Sequence, residues 1–185
     1  MFDIVMIGSS IFEFWGKPNW GKVTIANHAI RGTQSQDWLC KAIQGQLDNL
    51  PPSNHLLIYC GSNDLIFGHS PIEIVNNICS LLDKLDLIFP DTRLGYFSIL
   101  MCPQKLAAGQ QGAVNEINQS IKEYCYGKYD HFHFNNYIEN NAKWFVEDGL
   151  HLTNQAYLML NDKLNPVLTQ WVKSDKIIDH LLITG

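Results

Sequence analysis

The chain has 185 residues, of which 46% are hydrophobic and 17% are charged, and its formal net charge is -5. This length fits one domain that buries roughly 70% of its unfolded surface, with no need of a metal or a disulfide to hold it together. The acidic balance and the lack of a basic cluster argue against nucleic-acid binding. No hydrophobic run approaches the ~20 residues of a membrane span, and no charged leader precedes the first apolar run. We therefore expect a cytoplasmic protein with no signal peptide.

Cysteine and histidine spacing gives no sign of a structural metal. The five cysteines are odd in number and widely spaced in apolar surroundings, which predicts reduced core residues. His131 and His133 share one strand face, but no Cys, Asp or Glu at ligand spacing accompanies them. We expect neither a metal nor a cofactor.

Apolar runs and helical periodicity alternate along the chain. The predicted strands cover residues 2–7, 22–29, 55–60, 93–100 and 131–134. Predicted helices follow the first strand, cover 33–50, 70–88 and 110–126, and begin again after Thr153. Five strands alternating with helices indicate an α/β fold, a three-layer α/β/α sandwich around a five-stranded parallel sheet. We expect one domain over residues 1–173 and a C-terminal tail over 174–185, packed on its own domain or on a neighbour.

Local signals predict where several of these helices begin and end. Thr33 and Gln36 have capping-box spacing, and Ser70-Pro71-Ile72-Glu73 combines an N-cap, an N1 proline and an N3 glutamate. Thr153 is expected to cap the last helix, and Pro166 to kink or break it. Residues 101–109, which include Pro103, are expected to form a long loop.

Four polar segments stand at predicted strand ends or just before the last helix. They are Gly8-Ser9-Ser10-Ile11, residues 27–33, Gly61-Ser62-Asn63-Asp64 and residues 148–152. The first three should emerge at the same edge of a parallel sheet, where such folds bind ligands. A hydroxyl, an imidazole and fixed N–H donors are the groups that acyl transfer needs.

These residues can be assigned roles in ester hydrolysis. Ser10 would be the nucleophile, His151 the general base and then acid, and Asp148 the carboxylate that orients the imidazole. The Ser10 N–H, the Gly32 N–H and the Asn63 side-chain amide would form the oxyanion hole. Asp148 and His151 are three residues apart, so one tight turn can present both.

In this order and spacing, the four segments resemble the blocks of the GDSL-type or SGNH hydrolase superfamily. Gly61-Ser62-Asn63-Asp64 is similar to its Gly-x-Asn-Asp block, and residues 148–152 to its Asp-x-x-His block. The resemblance extends from Ile4 to Tyr157 and implies a flavodoxin-like SGNH hydrolase fold. It also implies activity on a small-molecule ester, as esterase, thioesterase, lipase-like acylhydrolase or carbohydrate deacetylase.

The chain departs from the usual blocks at two positions. Ser9 stands where the family usually has an aspartate, and Ala29 where many members have glycine. Ser10 remains the expected nucleophile, because it is the serine that precedes the aliphatic residue Ile11. Neither departure removes a catalytic group, and Ser9 is expected to alter the rate more than the reaction.

Each segment also has a plain structural interpretation. The serines can cap a helix, Asn63 and Asp64 can form a turn, and His151 can be a surface residue. The alternative to an enzyme is a binding protein on the same fold that has lost turnover, with Ser9 as the sign of that loss. Aromatic residues after the first block can line a substrate pocket or belong to the core. Oligomeric state and substrate stay open.

Overall fold

The structure, a computed structural model, describes residues 1–174, and residues 175–185 of the expected tail lie outside that range. The strands are β1 (Phe2–Gly8), β2 (Ile25–Asn27), β3 (Ser53–Tyr59), β4 (Arg93–Phe97) and β5 (Asp130–Phe132). The helices are α1 (Ser10–Trp15), α2 (Ser35–Ile43), α3 (Ser62–Ile66), α4 (Pro71–Ile88), α5 (Pro103–Ala107), α6 (Gln111–Cys125) and α7 (Asn154–Lys173). Two 3-10 turns cover Phe134–Asn136 and Ala142–Trp144. None of the helices in the described range is long and apolar enough to cross a lipid bilayer.

The five strands form one parallel sheet in the order β2-β1-β3-β4-β5. The predicted α/β fold with a five-stranded parallel sheet and helices on both faces is confirmed. The connection that leaves β1 runs to β2 on one side, and the connection that leaves β3 runs to β4 on the other. This divergence opens a crevice at the carboxyl ends of β1 and β3. Ser10 follows β1 and Asn63 lies just after β3, so the topology brings both to this crevice.

Alternate residues of each strand enter two separate cores. Ile4 and Met6 of β1 pack on the side covered by α1 and α7. Val5 and Ile7 pack on the side covered by α2, α4 and α6. Both cores hold fully buried side chains from β1, so the strand that leads to Ser10 is fixed from both faces.

Gly8 at the end of β1 is required by a close approach to β3. Its φ is +145°, and a Cβ there would lie 2.1 Å from the carbonyl oxygen of Tyr59. The next residue donates its N–H to that same oxygen at 2.9 Å. The backbone before Ser10 is therefore held against the neighbouring strand in a way that no other residue type permits.

Two of the predicted caps are confirmed and one is wrong. Ser70 and Glu73 form the predicted capping box of α4, and Thr153 caps α7. Thr33 does not cap α2, because its hydroxyl donates to the carbonyl of Ile30 and accepts from the indole N–H of Trp38. The helix begins instead at Ser35, after Gln34.

Several predicted element bounds also differ. Strand β2 covers Ile25–Asn27 and not residues 22–29, and three further differences have a structural cause. The second helix ends at Ile43 and not at residue 50, because Gly45 takes a left-handed conformation at φ +69°. Strand β4 ends at Phe97 because the Asn118 side chain takes over both backbone groups of Ile99, at 2.8 Å each. The loop predicted for residues 101–109 contains α5, with Pro103 at its first position.

Pro166 does not break α7, which continues to Lys173. Pro166 lies on the exposed face of the helix, where water can hydrate the carbonyl group that its missing N–H leaves free. The buried face carries Leu164, Leu168 and Trp171 onto the sheet. Packing on this face keeps the helix continuous.

The cysteines are all free thiols, as predicted, but not all belong to the core. Cys60, Cys102 and Cys125 are buried and Cys79 is partly buried, whereas Cys40 is exposed. Cys40 belongs to the outer face of α2, whose inner face carries the buried Trp38 and Ala42. The expectation of five core cysteines is therefore wrong for this one.

Candidate active site

The hydroxyl of Ser10 lies at the start of α1 and close to an imidazole. Its Oγ is 2.9 Å from Nε2 of His151, although 141 residues separate the two in the chain. Ser10 is only 6% exposed. Phe12 N–H and Glu13 N–H donate to the carbonyl of Ser9, which starts the helix that carries Ser10.

The turn before α7 places a carboxylate on the other nitrogen of this imidazole. Oδ2 of Asp148 is 2.6 Å from Nδ1 of His151. Oδ1 of Asp148 accepts the N–H groups of Leu150 and His151 at 2.8 and 2.9 Å, so the turn itself fixes the carboxylate. An Nδ1–H that donates to the carboxylate leaves Nε2 as an acceptor for the Ser10 hydroxyl.

The charge on Asp148 is stabilised by the same contacts. Partial burial raises the pKa of its carboxyl group, but the backbone and side-chain hydrogen bonds of His151 and the Leu150 N–H together lower the pKa further, so that it ends below its ordinary value. Asp148 is thus ionised at neutral pH and can favour an imidazolium beside it.

N–H donors that face no other partner are present in the expected oxyanion segments. Asn63 is 8% exposed, and its Nδ2 donates one hydrogen to the carbonyl of Thr33 at 2.9 Å, while its second hydrogen has no acceptor among residues 1–174. Gly32 has a φ of +77° in an exposed loop. Neither the Gly32 N–H nor the Ser10 N–H donates to another group within residues 1–174.

Asp64 is fully buried and connects the two segments that carry these donors. Its carboxylate accepts the backbone N–H of Ser35 at 3.0 and 3.1 Å and also the Ser35 hydroxyl. A role in its own turn was expected for Asp64, but its carboxylate also joins two separate segments of the chain. It fixes the start of α2, two residues after Thr33, to the first turn of α3.

The aromatic residues of the first block divide between core and site. Phe12, Trp15 and Trp20 are buried in the core, whereas Phe14 is 45% exposed. The Phe14 ring stands edge-on to His151 with ring centroids 5.1 Å apart. Sequence patterning does not distinguish Phe14 from its neighbours, because only the direction of α1 decides which ring reaches the imidazole.

A cation lies on the outer side of the Phe14 ring. The Arg31 guanidinium is 5.3 Å from the ring centroid, and its Nε is 2.9 Å from a carboxylate oxygen of Glu13. Arg31 also borders an open groove of about 520 Å³ next to Gly32. Most of the residues that line it have polar or charged side chains, among them Asp37, Lys41 and Gln44.

Sequence reasoning missed the contribution of α5 to this site. The backbone N–H of Gln104 donates to the carbonyl of Gly149, within the turn that carries Asp148 and His151, at 3.0 Å. A Cβ on Gly149 would lie 3.1 Å from this nitrogen, and the φ of Gly149 is +66°. The only sequence signal was Pro103, which is as typical of a helix start as of a loop.

His131 belongs to β5 and His133 directly follows it, at the edge of the sheet and separated from β3 by β4. Nε2 of His131 and Nδ1 of His133 are buried without a hydrogen-bond partner among the described residues. Burial, His133 and Lys122 together lower the pKa of His131 to about 4, so it is neutral at physiological pH. Residues 1–174 contain no group of three or more His, Cys, Asp or Glu side chains placed to hold a metal ion.

No family model matches the chain, and no curated protein matches its sequence. Solved structures do match it. A psychrotrophic esterase from Pseudoalteromonas sp., crystallised with monoethylphosphonate as inhibitor, has a TM-score of 0.75 at 17% identity over 94% of this chain and 100% of its own. A member of the lipolytic protein G-D-S-L family from Veillonella parvula has a TM-score of 0.74 at 17% identity over 92% and 100%.

A third match is a carbohydrate acetylesterase from Sinorhizobium meliloti, with a TM-score of 0.71 at 15% identity over 92% of this chain and 100% of its own. At such identities the likeness concerns the fold. The chain therefore has the fold of GDSL/SGNH esterases and lipolytic proteins, as the resemblance of its four segments predicts.

Proposed function

We propose that the chain is a serine-dependent hydrolase of carboxylic esters or thioesters that acts through an acyl-enzyme. The observation that carries this proposal is the continuous hydrogen-bonded series from Ser10 Oγ through the imidazole of His151 to Asp148. Nucleophile, base and orienting carboxylate in such a series are the parts that nucleophilic acyl transfer needs. All are side chains of this protein, so the reaction needs no cofactor.

Acylation begins when Oγ of Ser10 attacks the ester carbonyl carbon while its proton passes to Nε2 of His151. The negative charge then developing on the carbonyl oxygen is stabilised by the N–H groups of Ser10 and Gly32 and by the Asn63 amide. The carbon–oxygen or carbon–sulfur bond to the leaving group breaks, and the leaving group takes the proton from Nε2. Asp148 stabilises the imidazolium that exists between these two transfers.

Deacylation repeats the same steps with water. Water attacks the acyl carbon and gives a proton to Nε2 of His151, the bond between that carbon and Oγ breaks, and Oγ takes the proton back. The products are a carboxylic acid and free Ser10.

The replacement of the usual aspartate by Ser9 does not interrupt this series. Ser9 contributes its backbone, since its N–H donates to Tyr59 and its carbonyl starts α1. Its side chain makes no hydrogen bond with any of the three reacting groups. The proposed reaction therefore does not need an aspartate at this position.

A serine-directed phosphonate tests the proposal, since only an activated serine reacts with it quickly. The parent protein should be labelled on Ser10, as located by mass spectrometry, and Ser10→Ala should not. Labelling is followed by a panel of esters, thioesters and sugar acetates of increasing acyl-chain length. A parent that is neither labelled nor active on any of them would indicate the alternative, a binding protein on this fold.

A further inference from the structure

Helix α5 touches both halves of the candidate site. Its Gln104 N–H holds the turn of Asp148 and His151 through the carbonyl of Gly149. From the next position, the Nζ of Lys105 donates to the carbonyl of Ser62 at 2.8 Å. Ser62 is the first residue of α3 and immediately precedes Asn63.

Lys105 is an unusual residue at this place because it has no exposed surface. Burial lowers the pKa of its ammonium group, while Cys102 and Asp64 raise it. Burying a lysine is costly, and an apolar side chain of similar length would fill the same space without that cost. Packing alone therefore does not explain a lysine here, whereas the hydrogen bond from its ammonium group to the carbonyl of Ser62 does.

This hydrogen bond acts on α3, a short helix that few other contacts orient. Helix α3 has five residues, and Gly61 before it is left-handed at φ +103° and offers no side-chain cap. Isolated helices of this length are not stable, so its direction depends on contacts with the rest of the protein. Lys105 fixes its first residue and Asp64 fixes its first turn to Ser35, on either side of Asn63, whereas Gln110 holds only the opposite end of α3, through the carbonyl of Leu65 at 2.9 Å.

We propose that Lys105 is a positioning residue for the oxyanion hole, which aims the Asn63 amide by holding the carbonyl of Ser62. This inference rests on the proposed function of the site. Within residues 1–174, Lys105 forms no hydrogen bond with Ser10, His151 or Asp148, and its ammonium acts on the site through the carbonyl of Ser62, next to Asn63. Because α5 also holds Gly149, one element sets the distance between the oxyanion donor and the imidazole.

Two substitutions at Lys105 and one control test this role. Lys105→Met keeps most of the side-chain volume and removes the charge and the donor. Lys105→Gln keeps a donor for the carbonyl of Ser62, so it restores part of the function and carries the test if Lys105→Met does not fold. Gln110→Leu is the matched control, since it removes a similar hydrogen bond to a backbone carbonyl at the other end of α3, that of Leu65.

Misplacing a group by about 1 Å costs up to roughly 100-fold in rate. Lys105→Met should therefore lower kcat about 10- to 100-fold with KM within about twofold, and Lys105→Gln should lie between it and the parent. The NMR signals of the Asn63 side-chain amide should shift in both. Gln110→Leu should keep the parental kcat and the parental Asn63 signals, whatever its melting temperature.

A folded Lys105 variant with parental kcat and unchanged Asn63 signals would overturn the inference and leave the proposed function intact. So would a loss of kcat in Gln110→Leu equal to that in Lys105→Met, because the effect would then be general loosening of α3. Phosphonate labelling of the parent separates the two proposals. If the parent is not labelled, the proposed function fails, and this inference fails with it.

Discussion

The buried carboxylate of Asp64 binds both the backbone N–H and the hydroxyl of Ser35. This contact joins the start of α2 to α3, 29 residues further along the chain. A second contact joins the same two segments, because the Asn63 amide donates to the carbonyl of Thr33. The loop that contains Gly32 is thus tied at its end to the helix that contains Asn63, and the two oxyanion segments are held as one unit.

Asp64→Asn should lower the free energy of unfolding by roughly 1–3 kcal/mol. The reason is that the NH₂ group of Asn is a donor and cannot accept the hydrogen bonds that a carboxylate oxygen accepts from buried Ser35. Urea denaturation measures this change. Asp37→Asn is the control, since Asp37 also accepts a backbone N–H at the start of α2, from Gln34, but is exposed. We expect Asp37→Asn to cost less than about 1 kcal/mol. Equal losses in the two variants would contradict the structural role of Asp64.

Ser10→Ala should abolish ester hydrolysis, whereas Ser9→Ala should retain it. Only the Ser10 hydroxyl lies within hydrogen-bonding distance of the imidazole, while Ser9 is used through its backbone. Steady-state rates and phosphonate labelling measure the difference, and circular dichroism checks that both variants fold. An inactive Ser9→Ala beside an active Ser10→Ala would show that the nucleophile has been assigned to the wrong serine.

Activity should fall on the acid side of neutrality, because His151 must be neutral to accept the serine proton. Asp148 does not produce this fall. Its pKa lies below the ordinary value, so it stays ionised until the solution is more acidic still, and its contribution to stability is lost only when the pH falls through that lowered pKa. A pH–rate profile of kcat/KM measures the fall.

His151→Ala should remove nearly all activity, and with it the acid limb of the profile. Replacement of His28, His131 or His133 should leave both the rate and the limb in place. Addition of a chelator should have no effect, and a loss of activity on chelation would contradict the proposed cofactor-free reaction.

The fold could be predicted from the sequence because its signals are local. Strand β1 is apolar apart from Asp3, and helix α4 has one apolar stripe. Ser70 and Glu73, whose spacing predicts a capping box, form one in the structure. Predictions failed where a side chain competes with the regular backbone pattern. The Thr33 hydroxyl already bonds the neighbouring Ile30 and Trp38, and β4 ends two residues before Ile99, whose backbone bonds the side chain of Asn118 from α6.

The candidate site could be predicted where its contacts are local. Asp148 and His151 are three positions apart, so their pairing could be predicted, but the support of their turn by Gln104 could not. The approach of Ser10 to His151 follows once the order of the strands is assumed. Lys105 could not be found in this way, because an isolated lysine in an apparent loop gives no sign that it will be buried against Ser62.

Asn63→Ala should lower kcat by about 100- to 1,000-fold, since removal of one oxyanion-hole donor costs about 3–4 kcal/mol in the transition state. KM should change much less, because the donor acts mainly on charge that develops during the reaction. The substitution also releases the carbonyl of Thr33, which should lower the melting temperature by only a few degrees. Steady-state kinetics and thermal unfolding on the same preparation measure both effects.

The control for this prediction is another buried asparagine that holds backbone groups. Asn118 is 6% exposed and makes two hydrogen bonds with the backbone of Ile99, so Asn118→Ala should cost more stability than Asn63→Ala. It supplies no donor to the proposed oxyanion hole, and its kcat at a temperature well below unfolding should remain near that of the parent. The two variants thus separate loss of stability from loss of a donor. If Asn63→Ala kept the parental kcat, or lost activity only in proportion to its unfolded fraction, Asn63 would not be an oxyanion donor, even with Ser10 as the nucleophile.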